Sequence, residues 1–435
     1  MPERTATRRS RTSSNRARSR TRFASLLAGT AVLVGLAGCG GGDGGSTSLK
    51  WFIAIQPGGS IQKVAETCSN QSNGRYDIEL ELLPTDATQQ REQLVRRLGA
   101  EDDSIDLIGM DVVWTAEFAN AGWIEPWKKA DAREVSRGVF PTVLETASFE
   151  DALYGAPFNS NTQLLWYRSD LVKQPPKTWD QMIDMAEKLP EAGKIQVQAN
   201  RYEGFMVWVN AMIESAGGQI LSGPEEVSLA PQPTEAALRS IGRLSRSSAA
   251  PANYTTSDED TSRLAFESGG SAFMVNYTFA YGSAAAEAPK IAKVMKAARY
   301  PGIEPGRESR PPLGGFNLAV SRFSEKQDLA FEAAKCLTSP EQQLTVTELD
   351  GLAPARSGLY DTQVVRKAFP GFADLVRESI ETAGPRPVTP AYQDVTLAVQ
   401  RSLHPPTEID PGDPKPAADD LRENVERAVK REGLL

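Results

Sequence analysis

A single histidine, His404, serves all 435 residues, which excludes a His-rich metal centre and any mechanism that needs two imidazoles. That histidine sits in Leu403-His404-Pro405-Pro406, a helix-ending context, and reads as a solvated loop residue. The nucleophile elbow G-x-S-x-G, the P-loop, the dinucleotide fingerprint and H-E-x-x-H are all missing. The acidic runs Glu101-Asp102-Asp103 and Asp258-Glu259-Asp260 lack the glycine and spacing of a calcium loop. No metal and no cofactor are therefore expected. The long apolar run of a spanning helix is missing too, because the only candidate, Phe23 to Leu36, falls short of roughly 20 residues.

Charge is unevenly spread. Residues 1–38 hold eight Arg and one acid, a net of +7, so the remainder of a chain whose formal charge is −8 carries −15. An acidic body without a Lys/Arg block argues against nucleic acid as a partner. The basic lead from Arg4 to Arg22, the short apolar core and the small residues behind it describe an export signal over residues 1–38. Its end, Leu36-Ala37-Gly38-Cys39, resembles the lipobox of bacterial lipoproteins, which implies lipid on Cys39; an ordinary secretory peptide with an incidental cysteine is the alternative. A Gly/Ser tether, residues 39–48, follows. The expectation is a body held at the outer face of the cell membrane. Cys68 and Cys336 would then meet an oxidising compartment, where two thiols more often pair than stay free, against the alternative of two small buried side chains that never meet.

After the tether, strand and helix alternate. Lys50 to Ile55, Tyr76 to Leu83 and Ile105 to Gly109 read as strands, with helices from Ser60 and from Thr88 to Leu98 between them, an order that implies a largely parallel sheet. Further on, helices are expected over Trp179 to Leu189, Glu203 to Ala216 and Ala417 to Arg431, and strands over Leu164 to Tyr167, Ile195 to Ala199, Ser271 to Tyr277 and Phe316 to Val320. The fold class is α/β. All seven tryptophans lie in the first half and are assigned to packing, with no more than one or two left for a ligand.

Ligands of open α/β sheets bind beyond the strand C-termini. Asp111 follows one predicted strand, Asn161 precedes another, Glu203 and Phe205 open a helix behind a third, and Tyr277 and Phe279 end a fourth. Carboxylates and amides that pair with hydroxyls, beside aromatic faces that cover C–H surfaces, are what a sugar demands. Singly, each residue has a plainer reading, as a helix N-terminal carboxylate or a core aromatic.

Five stretches carry a resemblance: Asp106 to Phe118 (DLIGMDVVWTAEF), Asn161 to Leu171 (NTQLLWYRSDL), Arg263 to Gly269, Gly314 to Val320 (GGFNLAV) and Arg386 to Gln393 (RPVTPAYQ). Together they are similar to the extracellular solute-binding proteins of carbohydrate ABC importers, the maltose-binding type, and within it to the trehalose-binding lipoproteins of actinobacteria. The resemblance implies a two-lobed α/β fold with hinge crossings, lobe one over 49–158 and 314–355 and lobe two over 159–313 and 356–435. It implies sugar contacts from Asp111, Asn161, Glu259, Tyr277, Arg386 and the Gly314-Gly315 pair, with Glu203 and Phe205 joining by the looser maltose-type pattern and Gln56 and Gln90 added from lobe one. Tyr277 departs from the tryptophan of the trehalose-binding relatives. The implied activity is capture of an α-linked disaccharide, trehalose ahead of maltose, by a monomer that delivers it to a permease driven by a cytoplasmic ATPase, with no bond broken. A carboxylate-based glycoside hydrolase and a sugar-sensing receptor are the rivals.

Overall fold

The computed structural model describes residues 46–84 and 86–431; the export signal, Cys39 and most of the tether lie outside them. The first strand, β1 (Thr47–Ala54), starts two residues before the end of the expected tether and is almost wholly buried toward its C-terminal end. It pairs in parallel with β2 (Tyr76–Leu83) and with β3 (Leu107–Asp111). This is the arrangement that the alternating order of strands and helices implied.

The rest of the sheet departs from that pattern. Strand β4 (Ala156–Arg168) is one continuous strand of 13 residues, where only Leu164 to Tyr167 was expected. Beyond it come β5 (Ile195–Gln196), β6 (Phe273–Tyr277), β7 (Met295–Ala298) and β8 (Leu313–Val320). The sheet runs β2-β1-β3-β8-β4-β6-β5, with β7 also on β4. The pairs β3–β8, β4–β8, β4–β6 and β4–β7 are antiparallel, so the sheet as a whole is mixed. The N-terminal half of β4 lies against β8, and its C-terminal half lies against β6 and β7. One strand thus belongs to both ends of the sheet.

Local chemistry explains the helix starts. Asp86 caps Ala87–Leu98 by accepting from the Gln89 N–H at 2.9 Å, and Asp258 with Thr261 forms a capping box on Glu259–Glu267. The helix Ser60–Gln71 follows a left-handed Gly59 that no side chain of its own can cap. Asp350 supplies the missing acceptor from afar, taking the N–H groups of Gly58 and of Ser60 (3.0 Å).

Three apolar cores flank the sheet. One packs Trp51 edge-on against Phe158 (5.7 Å) and includes Ile61, Val64 and Leu337. Another gathers Trp166, Phe372 and Tyr360, and the largest holds Trp179, Trp208 and the faces of the helices Glu203–Ser215, Tyr392–Leu403 and Lys415–Val429. Cys68 and Cys336 are joined by a disulfide, Cα to Cα 5.8 Å, across 268 residues of chain. The bridge ties the helix Ser60–Gln71 to the helix Gln327–Leu337.

Candidate functional site

Two half-buried carboxylates from opposite ends of the sheet meet on one guanidinium. Asp111 is the last residue of β3, where Phe316 of β8 stands opposite, and its Oδ1 accepts the Val113 N–H at 3.2 Å. Glu203 is the first residue of the helix Glu203–Ser215. Arg386, 5% exposed, donates through Nη2 to Asp111 at 3.0 Å and through Nη1 to Glu203 at 2.6 Å. Its Nε is buried without a partner. Glu203 also accepts from the Tyr392 hydroxyl and, at 2.8 Å, from Thr396 Oγ1. Tyr392 and Thr396 lie one turn apart on the helix Tyr392–Leu403, so both reach the same carboxylate.

A second carboxylate–phenol pair stands beside this cluster. Tyr202 donates to Glu259 at 2.6 Å, and the Glu259 carbonyl accepts from Asn276 Nδ2 at 2.9 Å. Burial raises the Glu203 carboxyl above the usual carboxylate range, with Arg386 pulling it back. Burial likewise raises Glu259, with the Tyr202 hydrogen bond opposing. Tyr277, at the end of β6, is raised by burial and then by the charge of Glu259; Arg386 pulls it down, and Asp111 and Glu203 push it further up. Its phenol is therefore in electrostatic reach of every charged group named so far.

The glycine pair sits at the junction of these parts. Gly314 stands opposite Asn161 on β4, and the Gly315 carbonyl accepts from the Val112 N–H at 3.3 Å, just past Asp111. Gly315 has φ +132°, and a Cβ there would come within 2.9 Å of the Ser160 Cα and run into the Asn159 carbonyl. Only glycine lets β8 lie this close to β4.

Between the two sides runs a narrow crevice lined by Ala87, Thr88, Arg91, Asp111, Val113, Trp114, Glu203, Tyr392 and Gln393, with room for about one water. Trp114 is the single tryptophan in that lining. Of the twelve candidates, the structure bonds Asp111, Glu203 and Arg386 into one network, places Glu259 and Tyr277 in its field, and sets Asn161, Gly314 and Gly315 on adjoining strands. Phe279 opens the next helix, half-buried. Gln56 lies in the loop behind β1, where its carbonyl accepts from the Gly59 N–H at 3.2 Å. Gln90 is buried within its helix. Phe205 is fully buried against Trp208 (6.1 Å) and His404 (5.6 Å), away from the crevice lining. His404 is correspondingly half-buried, its Nε2 3.3 Å from the Thr255 carbonyl, and not the solvated loop residue that its flanking prolines suggested. Sequence reasoning missed Tyr202, Tyr392 and Thr396; the signal for the last two was an i, i+4 hydroxyl pair just past Arg386.

The chain belongs to the bacterial extracellular solute-binding proteins, whose family model matches residues 65–370. It is 29% identical over 312 residues to a probable ABC transporter-binding protein of Deinococcus radiodurans, spanning 68% of this chain and 72% of that one. A maltotriose-binding protein of Pyrococcus abyssi is 25% identical over 275 residues, 61% of this chain and 58% of that one. Among solved structures, maltose-bound MalE3 of T. maritima superposes with a TM-score of 0.76 at 24% identity, covering 89% of this chain and all of the other. The GacH receptor of Streptomyces glaucescens GLA.O gives 0.76 at 20% identity, over 88% and 99%. The fold is the two-lobed one of these maltose-binding-type proteins, with the largely parallel β1–β3 end and the β6 end of the sheet joined through β4 and β8.

Proposed function

We propose that this chain is the sugar-capturing component of an ABC importer, tethered outside the cell by lipid on Cys39, that takes an α-linked disaccharide and passes it unaltered to the permease. The observation that carries the reading is the buried Arg386 bridge between Asp111 and Glu203. Charged groups fixed in this way, beside Tyr277 and Trp114, offer directed hydrogen bonds to vicinal hydroxyls and an aromatic face to a ring.

The lobes are taken as residues 49–158 with 314–355, and 159–313 with 356–435. On that division Asp111 sits on lobe one, and Glu203, Glu259, Tyr277 and Arg386 sit on lobe two. A sugar then gains its second set of contacts only when the hinge closes, and this difference in contact is what favours the closed form. Micromolar capture corresponds to about 8 kcal/mol, within reach of several charge-assisted bonds plus stacking.

Trehalose is favoured by the matches around Asp111, Asn161 and Arg386. Maltose or another α-glucoside is the second reading, supported by the maltose- and maltotriose-binding neighbours and by tyrosine at position 277. Calorimetric titration with trehalose, maltose, maltotriose and sucrose tests both, with the recovered sugar examined for cleavage. The reading expects one tight disaccharide, recovered intact. Heat from none of the four, or hydrolysis products, would overturn it.

A further inference from the structure

Charge around the crevice is lopsided. Asp111 and Glu203 share a single cation, Arg386, at 3.0 and 2.6 Å. The third carboxylate, Glu259, has only the Tyr202 phenol for a side-chain partner, at 2.6 Å. The cation in the crevice lining itself, Arg91, is held by both oxygens of Glu117, one of them at 2.7 Å, with both side chains about 15% exposed. Among the described residues no lysine lines the crevice.

Three of the hydroxyl donors are engaged as well: Tyr392 and Thr396 donate to Glu203, and Tyr202 donates to Glu259, while the buried Arg386 Nε has no partner. What faces an incoming molecule is therefore a surplus of carboxylates over cations, three against one.

We infer that the cleft selects its sugar by charge, admitting neutral glycosides and amino-substituted ones while refusing phosphorylated or uronic ones. The inference rests on the sugar-binding reading given above. An ammonium brings three donors and no acceptor, the complement of this site. A phosphate or carboxylate brings acceptors alone. To bind, it would have to take Arg386 from Asp111 or Glu203, and the displaced carboxylate would stay half-buried without its cation.

The test is a calorimetric comparison of trehalose, its monoamino analogue and its monophosphate, repeated with the corresponding maltose series, near neutral pH and at low and high salt. The expected result is an amino analogue bound at least as tightly as the neutral sugar, weakened by salt, and a monophosphate weaker by on the order of 100-fold. Equal affinity for the neutral sugar and the monophosphate overturns the inference and leaves the sugar reading standing. Equal refusal of both substituted sugars also overturns it, since size and not charge would then be the filter. If no sugar of either series binds, the sugar reading falls and the inference falls with it.

Discussion

Tyr392 and Thr396 hold Glu203 from one helix face, and neither stood out in the sequence. The reason is physical: Tyr392 is 189 residues from the carboxylate it serves, and a tyrosine at a helix start reads as packing until the partner is known. Asp111 was legible because it follows a predicted strand and leads into an aromatic stretch, whereas Arg386 was reached only through the family resemblance of its stretch Arg386 to Gln393. Phe205 was placed with the ligand for the same reason, but its ring points into the core, since a residue two places along a helix from Glu203 faces elsewhere. Removing the Tyr392 hydroxyl tests the positioning role. Tyr392→Phe loses one bond to a charged group, and we expect sugar affinity to fall roughly tenfold, equivalent to about 1.4 kcal/mol, with the fold retained. Calorimetry beside a circular dichroism melt reads both; unchanged affinity would remove Tyr392 from the site.

At the scale of elements, β8 is the strand that brings the two ends of the sheet together, and Gly315 makes its close approach possible. Gly315→Ala adds strain at a positive φ and a clash with the Asn159 carbonyl, and we expect about 2 kcal/mol of lost stability or more, read from the urea midpoint. In the last turn of the helix Glu203–Ser215, Glu214 pairs with Arg310 at 3.1 Å just ahead of β8. Burial raises the Glu214 carboxyl to about 7, with Arg310 opposing and Glu145 adding to the rise. A raised carboxyl favours the folded state when protonated. Its contribution is whole below the ordinary value of 4.5 and is lost as pH climbs through about 7. At about 1.36 kcal/mol per unit, that is roughly 3 kcal/mol over this window. Urea midpoints should therefore fall as pH rises from acid toward neutral in the native chain and fall less in Glu214→Gln; parallel curves would refute the assignment. The extent of β4 was hidden for a related reason. Its stretch Asn159-Ser160-Asn161-Thr162-Gln163 is polar and a poor strand former, but tertiary partners take up several of its polar groups: the Asn159 side chain accepts from the Phe316 N–H at 3.1 Å, the Ser160 N–H reaches the Ala353 carbonyl at 2.9 Å, and Gln163 donates to Gln198 at 2.9 Å.

For the whole molecule, the α/β class and the parallel order of β1, β2 and β3 followed from the alternation of apolar strands and amphipathic helices. The antiparallel insertion of β8 between β3 and β4 did not, because strand direction at a long-range pairing leaves no local mark in the sequence. The Cys68–Cys336 bridge anchors that return, closing a loop long enough that cross-linking contributes about 5 to 6 kcal/mol in the chain-entropy account. The central claim is that the two lobes hold a sugar through Arg386. The most direct measurement is a titration of the preferred disaccharide into the native chain and into Arg386→Ala, each shown to be folded. The account predicts saturable heat in the native chain and affinity lower by on the order of 100-fold or more in the variant, since two half-buried carboxylates lose their cation together. Matching isotherms for the two proteins would contradict it.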